Sequence, residues 1–375
     1  MTSSATAPKP AAPRADRLSA ELAGREVDAL LVSAPFNVRY LTGYTGSNGI
    51  ALVGAGDSAL RRFFTDFRYA AQSAEQVPGD FEREIVLQDE LLSAAAETLS
   101  KARDAGGRLG FDDAHLSVAA ARRLTSALPD GWTLVPCGGA VEALRERKDA
   151  DELVRIAAAA ALVDEILGWI AQRGLIGRSE RSVAIELEHE MRLRGAQAPS
   201  FPSIVASGPH AALPHAEPRD VPIARGTLVT VDLGALLDGY CSDCTRTFAA
   251  GEPDGLAREV YELVLSAQLA GLEALRPGRS GREVDAQARA VIELAGYGGQ
   301  FGHGLGHGVG LEVHEGPRLS RTASERPLAS GNVVSVEPGV YLPGQLGVRI
   351  EDLVVLNEDG HELLSHFPKE LLVVE

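Results

Sequence analysis

The chain has 375 residues, 45% of them hydrophobic and 23% charged, which suits an ordinary globular protein with a sizeable core and points to two domains. Its 52 acidic and 36 basic residues leave a net charge of −16, which argues against nucleic acid or an anionic membrane surface as the main partner. Three cysteines, Cys137, Cys241 and Cys244, are too sparse and odd a set for a disulfide framework and fit a reducing, cytoplasmic setting.

Residues 1–16, "MTSSATAPKPAAPRAD", carry no apolar stretch of the secretory kind, and their Ala/Pro/Ser bias predicts a disordered tail. From 17 to 145 short strands and helices alternate, as an α/β domain requires. "VDALLVSA", "GIALVGAG" and "RLGFDDA" read as strands, and "ELLSAAAETLSKARDAG" reads as a helix closed by glycine. The charged stretch "LRERKDADE" leads into a second domain, taken as 146–375. It opens with a long helix over 150–173, stopped by Gly174; Asp164 and Glu165 interrupt its Ala-rich run, and no apolar stretch reaches the roughly 18 residues of a membrane span.

A repeated order of elements follows. A shorter helix, "SVAIELEHEMRLRG", precedes a strand–turn–strand, "TLVTVDLGALLDGYCSDCTRTF". Two further helices, "GLAREVYELVLSAQLAGLEAL" and "GREVDAQARAVIELAG", precede a glycine- and histidine-rich loop and a second strand–turn–strand, "NVVSVEPGVYLPGQLGVRIEDLVVL". Two halves, each helix–helix–hairpin, suggest a duplication about a pseudo-twofold axis.

Both hairpins carry paired acids. With Leu237-Asp238 as the turn, Asp232 sits directly opposite Asp243; with Asp238-Gly239 the pair is diagonal but shares a face. Glu337, before Pro338, and Glu351 repeat the arrangement around Gly344, and Arg349 shares the face of Glu351. Opposed carboxylates repel, so a cation is expected between them. Four of them converging from related hairpins match the charge of two divalent cations, and His307 completes a shell of mixed donors.

The loop "GHGLGHGVGLEVHE" supplies that histidine. It holds neither a G-x-G-x-x-G in register nor a P-loop, so a phosphate cradle lacks its fingerprint, and its glycines rule out a helical H-E-x-x-H. His303 and His307 are expected on an irregular loop, with "VGLEVHE" running out as a strand carrying His314. "CSDC" in a strand puts Cys241 and Cys244 on opposite faces about 10 Å apart, beyond disulfide reach. "RYLTGYTGSNG" offers Ser47 without a nucleophile elbow.

"HGLGHGVGLEVHE" closely resembles the signature of proline peptidases, the Xaa-Pro aminopeptidases and Xaa-Pro dipeptidases of the pita-bread metallopeptidases. "TVDLGALLDGYCSDCTRTF" is similar to their Asp hairpin, and "SVEPGVY" and "GVRIEDLVVL" to their Glu motifs. "PSFPSIVASGPHAALPH" and "RPGRSGREVD" are similar to family segments, while "NVRYLTGYTGSNG" and "FFTDFRYAAQ" resemble the smaller creatinase-type domain that precedes the catalytic one. The resemblance implies an α+β fold: a pita-bread catalytic domain with pseudo-twofold halves, preceded by a creatinase-type α/β domain.

It also implies five metal ligands, Asp232, Asp243, His307, Glu337 and Glu351, for two divalent ions, Mn²⁺ or Co²⁺ before Zn²⁺. His215, His303, His314 and Arg349 fall on substrate-lining positions. Glu337 is the implied proton carrier, with His314 and His215 binding the scissile carbonyl. The implied substrate is a peptide with proline second, cut as a dipeptidase or an aminopeptidase cuts it, in a cytoplasmic homodimer. A peptide-binding pita-bread protein without catalysis, or an aminopeptidase of the methionine-aminopeptidase type, is the alternative.

Overall fold

The structure, a computed structural model, describes residues 13–102 and 105–375. The chain divides into two compact units, Met1–Arg145 and Glu146–Glu375. The first contains α1 (Arg14–Ala23), β1 (Ala29–Val32), α2 (Pro35–Thr42), β2 (Gly49–Gly54), β3 (Arg61–Asp66), α3 (Ala70–Gln76), β4 (Glu82–Val86), α4 (Leu91–Ala102), β5 (Gly107–Phe111), α5 (Val118–Ala127), β6 (Trp132–Pro136) and α6 (Ala140–Arg145). Its strands form one mixed sheet in the order β4-β3-β2-β1-β5-β6. Leu31, Leu52, Phe64 and Leu109 from one face pack against Ala95, Ala96 and Leu99 of α4. The strands and helix expected from the sequence correspond to β1, β2, β5 and α4.

The expected tail needs a correction. Residues 1–12 lie outside the described residues, but Arg14 to Asp16 are already helical. Ala15, Leu18 and Leu22 recur at helical spacing and are buried, so burial of that stripe outweighs the local Ala/Pro bias.

The second unit contains α7 (Ala150–Arg173), α8 (Glu180–Leu193), β7 (Ala198–Pro199), β8 (Ile204–Ser207), β9 (Thr227–Leu233), β10 (Ala235–Leu237), β11 (Tyr240–Cys241), β12 (Cys244–Ala250), α9 (Gly255–Ala274) and α10 (Gly281–Leu294). It continues with β13 (Gly306–Gly308), β14 (Glu315–Leu319), β15 (Val333–Val336), β16 (Gly339–Leu342), β17 (Leu346–Arg349), β18 (Asp352–Leu356), β19 (His361–Leu363) and β20 (Val373–Val374). Asp149 and Glu152 form a capping box on α7, whose buried stripe runs through Ile156, Ala160, Val163, Leu167 and Ile170. Ser280 and Glu283 do the same for α10.

The halves repeat in structure as well as in pattern. In one, α7 and α8 cover a sheet ordered β20-β12-β9-β8; in the other, α9 and α10 accompany a sheet ordered β14-β13-β15-β18-β19. The capping serine of each second helix bridges a later proline, Ser179 to Pro222 and Ser280 to Pro327. Among the described residues, no helix is long and apolar enough to cross a membrane.

The sequence predicts two continuous hairpins; the structure breaks each of them partway. Gly234 ends β9, and a Cβ there would lie 2.0 Å from the Ser242 carbonyl oxygen. Pro338, lacking an N–H, interrupts the other ladder between β15 and β16. The glycine-rich loop also departs from expectation. His307 is the middle residue of β13, a short bulged strand between β14 and β15, whereas residues 309–314 form a bend and the strand begins only at Glu315. Local bonding explains the bend, since Gly310 N–H donates to the Glu312 carbonyl and Cys241 N–H donates to the Gly310 carbonyl.

β13 fits only because Gly306 has no side chain: a Cβ there would sit 1.9 Å from the Ser335 carbonyl oxygen. Gly306→Ala is therefore expected to lower the stability of this unit by about 1–3 kcal/mol in chemical unfolding, the usual cost of overpacking. Wild-type stability in that variant would show that the approach is not required.

Candidate metal centre

The turn of the first hairpin is Asp238-Gly239, both at positive φ, 47° and 79°. Leu237 pairs with Tyr240 across it, and Asp232 pairs with Thr245. Asp232 and Asp243 are therefore diagonal rather than directly opposed, and Asp243 lies in the break between β11 and β12. In the second hairpin, Val336 pairs with Asp352 and Gly339 with Arg349. The two ladders share one register, so Glu337 and Glu351 face each other across the gap between them.

These breaks bring the acids together. Asp232, Asp243 and Glu351 each offer an oxygen within 4.8 Å of the others, and all three are buried. His307 Nε2 lies 3.2 Å from Glu337 Oε1 and 3.6 Å from Asp243 Oδ2, joining the remaining two expected ligands to the trio. Asp232 Oδ2 accepts a 2.6 Å bond from Arg349 Nη2, and Glu351 Oε2 accepts a 2.8 Å bond from the Thr245 hydroxyl. Their other oxygens, Asp232 Oδ1 and Glu351 Oε1, are buried without a hydrogen-bond partner among the described residues. Each of these two carboxylates thus has one oxygen fixed by the chain and one turned to an unfilled demand.

A divalent cation would meet that demand, held by these carboxylates and His307. His307 Nδ1 lies 3.1 Å from its neighbour's carbonyl oxygen at Gly308, which suits an Nδ1–H donor and leaves the Nε2 lone pair for the acid side. A lone pair facing carboxylates is repelled unless a cation lies between, and a shell of four carboxylates and one imidazole is a donor set for a hard or borderline metal ion.

The charges of the metal-free chain are strained accordingly. Burial, then the neighbouring charges of Glu351, Asp232 and Glu337, pushes the Asp243 carboxyl well above the usual carboxylate range. Glu351 is pushed well above it too, by burial and then by Glu337 and Asp232. Asp232 is raised less, because Arg349 opposes its burial. Glu337 goes the other way: burial disfavours its charge, but the bond from His307 and the positive charges around it hold it at about 2. His307 is raised in turn, since Glu337 outweighs the burial that would lower it.

Arg349 organises more than one acid. Besides Asp232 it donates from Nε to Thr245 Oγ1 at 3.0 Å, and from Nη1 to Tyr341 Oη at 2.9 Å and to the Pro214 carbonyl at 3.2 Å. Tyr341 Oη lies 2.8 Å from His303 Nε2, whose Nδ1 lies 2.7 Å from the Gly304 carbonyl. Nδ1 is then the donor and Nε2 accepts from Tyr341. Burial lowers the His303 pKa, in keeping with a neutral ring. His314 stacks edge-on against His307, with ring centroids 4.4 Å apart, and is itself exposed; His215 is exposed as well and close enough to act on His314's charge.

Tyr341, Thr245 and His210 escaped the sequence reading. Tyr341 had a signal, since it shares a strand face with Gly339 and that glycine pairs with Arg349. Cys241 and Cys244 are buried free thiols with separate partners, the carbonyls of Leu311 and Glu351.

Known proteins resemble this chain in sequence and fold. Metallopeptidase family M24 covers residues 154–358, and the creatinase/prolidase N-terminal domain covers 14–147. The chain is 42% identical to the uncharacterized peptidase YqhT of Bacillus subtilis (strain 168), over 93% of this chain and 96% of that one. It resembles the solved Xaa-Pro dipeptidase from Bacillus anthracis with a TM-score of 0.89 and 37% identity, covering 96% of this chain and 99% of that one. For the X-Pro aminopeptidase from Thermotoga maritima MSB8 the TM-score is 0.85 and the identity 35%, over 96% and 100% of the two chains.

The pH dependence of stability should reveal the cluster. Asp243 and Glu351 hold protons more tightly folded than unfolded, so the metal-free protein loses stability as pH rises out of the ordinary carboxylate range through their raised values. His307 adds to the same trend, because its contribution is present below the usual imidazole value and is lost above its raised one. Glu337 acts oppositely, but only as pH falls from the ordinary carboxylate range towards 2. Melting of chelator-treated protein should therefore fall between about pH 5 and 8, while Mn²⁺ should raise the melting temperature most at the upper end, where its ligands are deprotonated. A melting curve indifferent to both Mn²⁺ and pH would contradict the site.

Proposed function

This chain belongs to metallopeptidase family M24, and we propose that it is a dinuclear-metal exopeptidase that hydrolyses the bond between an N-terminal residue and proline. The observation that carries the reading is the pair of buried, partnerless oxygens, Asp232 Oδ1 and Glu351 Oε1, set in a cluster with Asp243, His307 and Glu337. The names of the relatives, Xaa-Pro dipeptidase and X-Pro aminopeptidase, support proline as the second residue. The oxygen-rich shell favours Mn²⁺ or Co²⁺ over a thiolate-seeking ion.

Bound divalent cations supply a water of lowered pKa and polarise the scissile carbonyl. The remaining work belongs to the chain. Glu337, half in the cluster and 16% exposed, takes the water's proton and passes it to the leaving nitrogen. That nitrogen is a tertiary amide without an N–H, so it must gain its proton during cleavage. His314 and His215, exposed beside the buried acids, donate to the oxygen as negative charge develops on it. Tyr341 keeps His303 oriented, and Arg349 favours the ionised form of Asp232 against its burial and aligns it.

Purified protein loaded with Mn²⁺ should release the first residue from Xaa-Pro and Xaa-Pro-Xaa peptides but not from Xaa-Ala controls. Chelation should abolish turnover, and Glu337→Gln should cost about 10²–10⁴-fold in kcat. Release unaffected by chelator would sink the reading, and the ratio of dipeptide to tripeptide turnover separates dipeptidase from aminopeptidase.

A further inference from the structure

The strongest unassigned feature of the second unit is a single carboxylate outside the metal cluster. Glu180 opens α8, its side chain is wholly buried, and six donors converge on it. Ser207 contributes its N–H and hydroxyl, both at 2.8 Å. His210 contributes Nδ1 at 2.9 Å. Arg219 contributes its backbone N–H, Nε and Nη2 at 3.1, 3.2 and 3.3 Å. Burial works against the charge of Glu180, but the Arg219 and Ser207 bonds outweigh it and keep the group below the usual carboxylate range.

Those donors come from the two ends of one loop, residues 207–219, with His215 between them. The middle of that loop is also held. The Pro214 carbonyl accepts from Arg349 Nη1, and Arg349 in turn grips Asp232. Ala211 and Ala216 pack with Ala206 in a small buried cluster. A Cβ on Gly347 would meet the Ala211 carbonyl oxygen at 1.8 Å, so the loop lies directly on β17. His215 alone of this stretch's histidines is exposed, while its backbone neighbours are fixed on both sides.

We propose that Glu180 is a positioning residue that closes loop 207–219 at its base and so presents His215 to the substrate. The proposal rests on the reading of His215 as a substrate-binding group. A helix-opening carboxylate bound to six donors is far more bonding than a cap needs, since an N-cap side chain satisfies one or two. Preorganised donors are effective in catalysis because they need not move as charge develops, and a misplacement of about 1 Å can cost about 10²-fold in rate.

The test uses Glu180→Gln, close to isosteric, and Arg219→Gln, which removes a half-exposed side chain and leaves Glu180 buried and bonded to Ser207 and His210. Both variants should keep wild-type Mn²⁺ content. Amide hydrogen exchange within 208–218 should speed up about tenfold or more, and kcat/KM on alanyl-proline should fall by about 10- to 100-fold, chiefly in kcat. The decisive reading is the double-mutant cycle: His215→Ala should cost much less in the Glu180→Gln background than in the wild type. Unchanged exchange in both variants, or full additivity in the cycle, overturns the proposal. A His215→Ala enzyme with full activity overturns the substrate role of His215 instead, and exchange then judges the hold of Glu180 on the loop by itself.

Discussion

Everything in the second unit is arranged around the cost of collecting four carboxylates in one buried place. Removing an ionised carboxylate from water costs several kcal/mol even after relaxation, and like charges a few ångströms apart add to that. Among the described residues the chain answers with Arg349 on Asp232 and His307 between Glu337 and Asp243. Asp243 and Glu351 are left to resist ionisation. Such a site is tolerable in a folded protein if its stable form includes cations supplied from outside.

Holding the acids that close requires the backbone to leave its ladders at fixed points. A continuous hairpin puts opposed carboxylates in one sheet face and spreads two hairpins apart. Breaking each hairpin at the acids lets four strands turn their broken ends towards a common point. The breaks have identifiable causes: Pro338 lacks the ladder donor, and Gly234 admits the Ser242 carbonyl. Gly306 then lets β13 carry His307 against β15. The same construction in both halves explains why Ser179 and Ser280 make equivalent bridges to prolines beyond their helices.

Much of this was legible in the residues. The stretches that form α7 to α10 read as helices from the residues, with Gly174 closing the first, and period-two spacing put acid pairs in each hairpin before any register was known. The turn of the first hairpin was open between two choices because "LLDGY" satisfies both; positive φ at Asp238 and Gly239 decides it. The hairpin breaks were harder to see, because they depend on what packs opposite a glycine rather than on the glycine itself. The strand expected over 309–315 failed for a similar reason. Its alternating apolar residues suit a ladder, but the Gly310 N–H donates locally to the Glu312 carbonyl and the Gly310 carbonyl accepts from the Cys241 N–H, which folds that stretch into a bend. Thr245 and His210 were invisible because each acts through a partner distant in sequence, Glu351 and Glu180, whereas Tyr341 was marked only by its place on the strand face of Gly339, the partner of Arg349.

Burial divides the histidines of this unit by task. His307 is enclosed with the acids, so its ring can serve a fixed charge balance but cannot follow a substrate in and out. His303 is also enclosed, held neutral between Tyr341 and the Gly304 carbonyl, and suits orientation rather than proton transfer. His215 and His314 are exposed, and only groups of that kind can bind an entering peptide without first losing a buried partner. The exposed rings nevertheless stand on held backbone: His314 precedes Glu315, which pairs with buried Lys148, and His215 lies between Pro214 and Ala216. Rigid support beneath a solvent-facing imidazole is what a donor to developing negative charge requires, because a donor that must reorganise loses much of its effect.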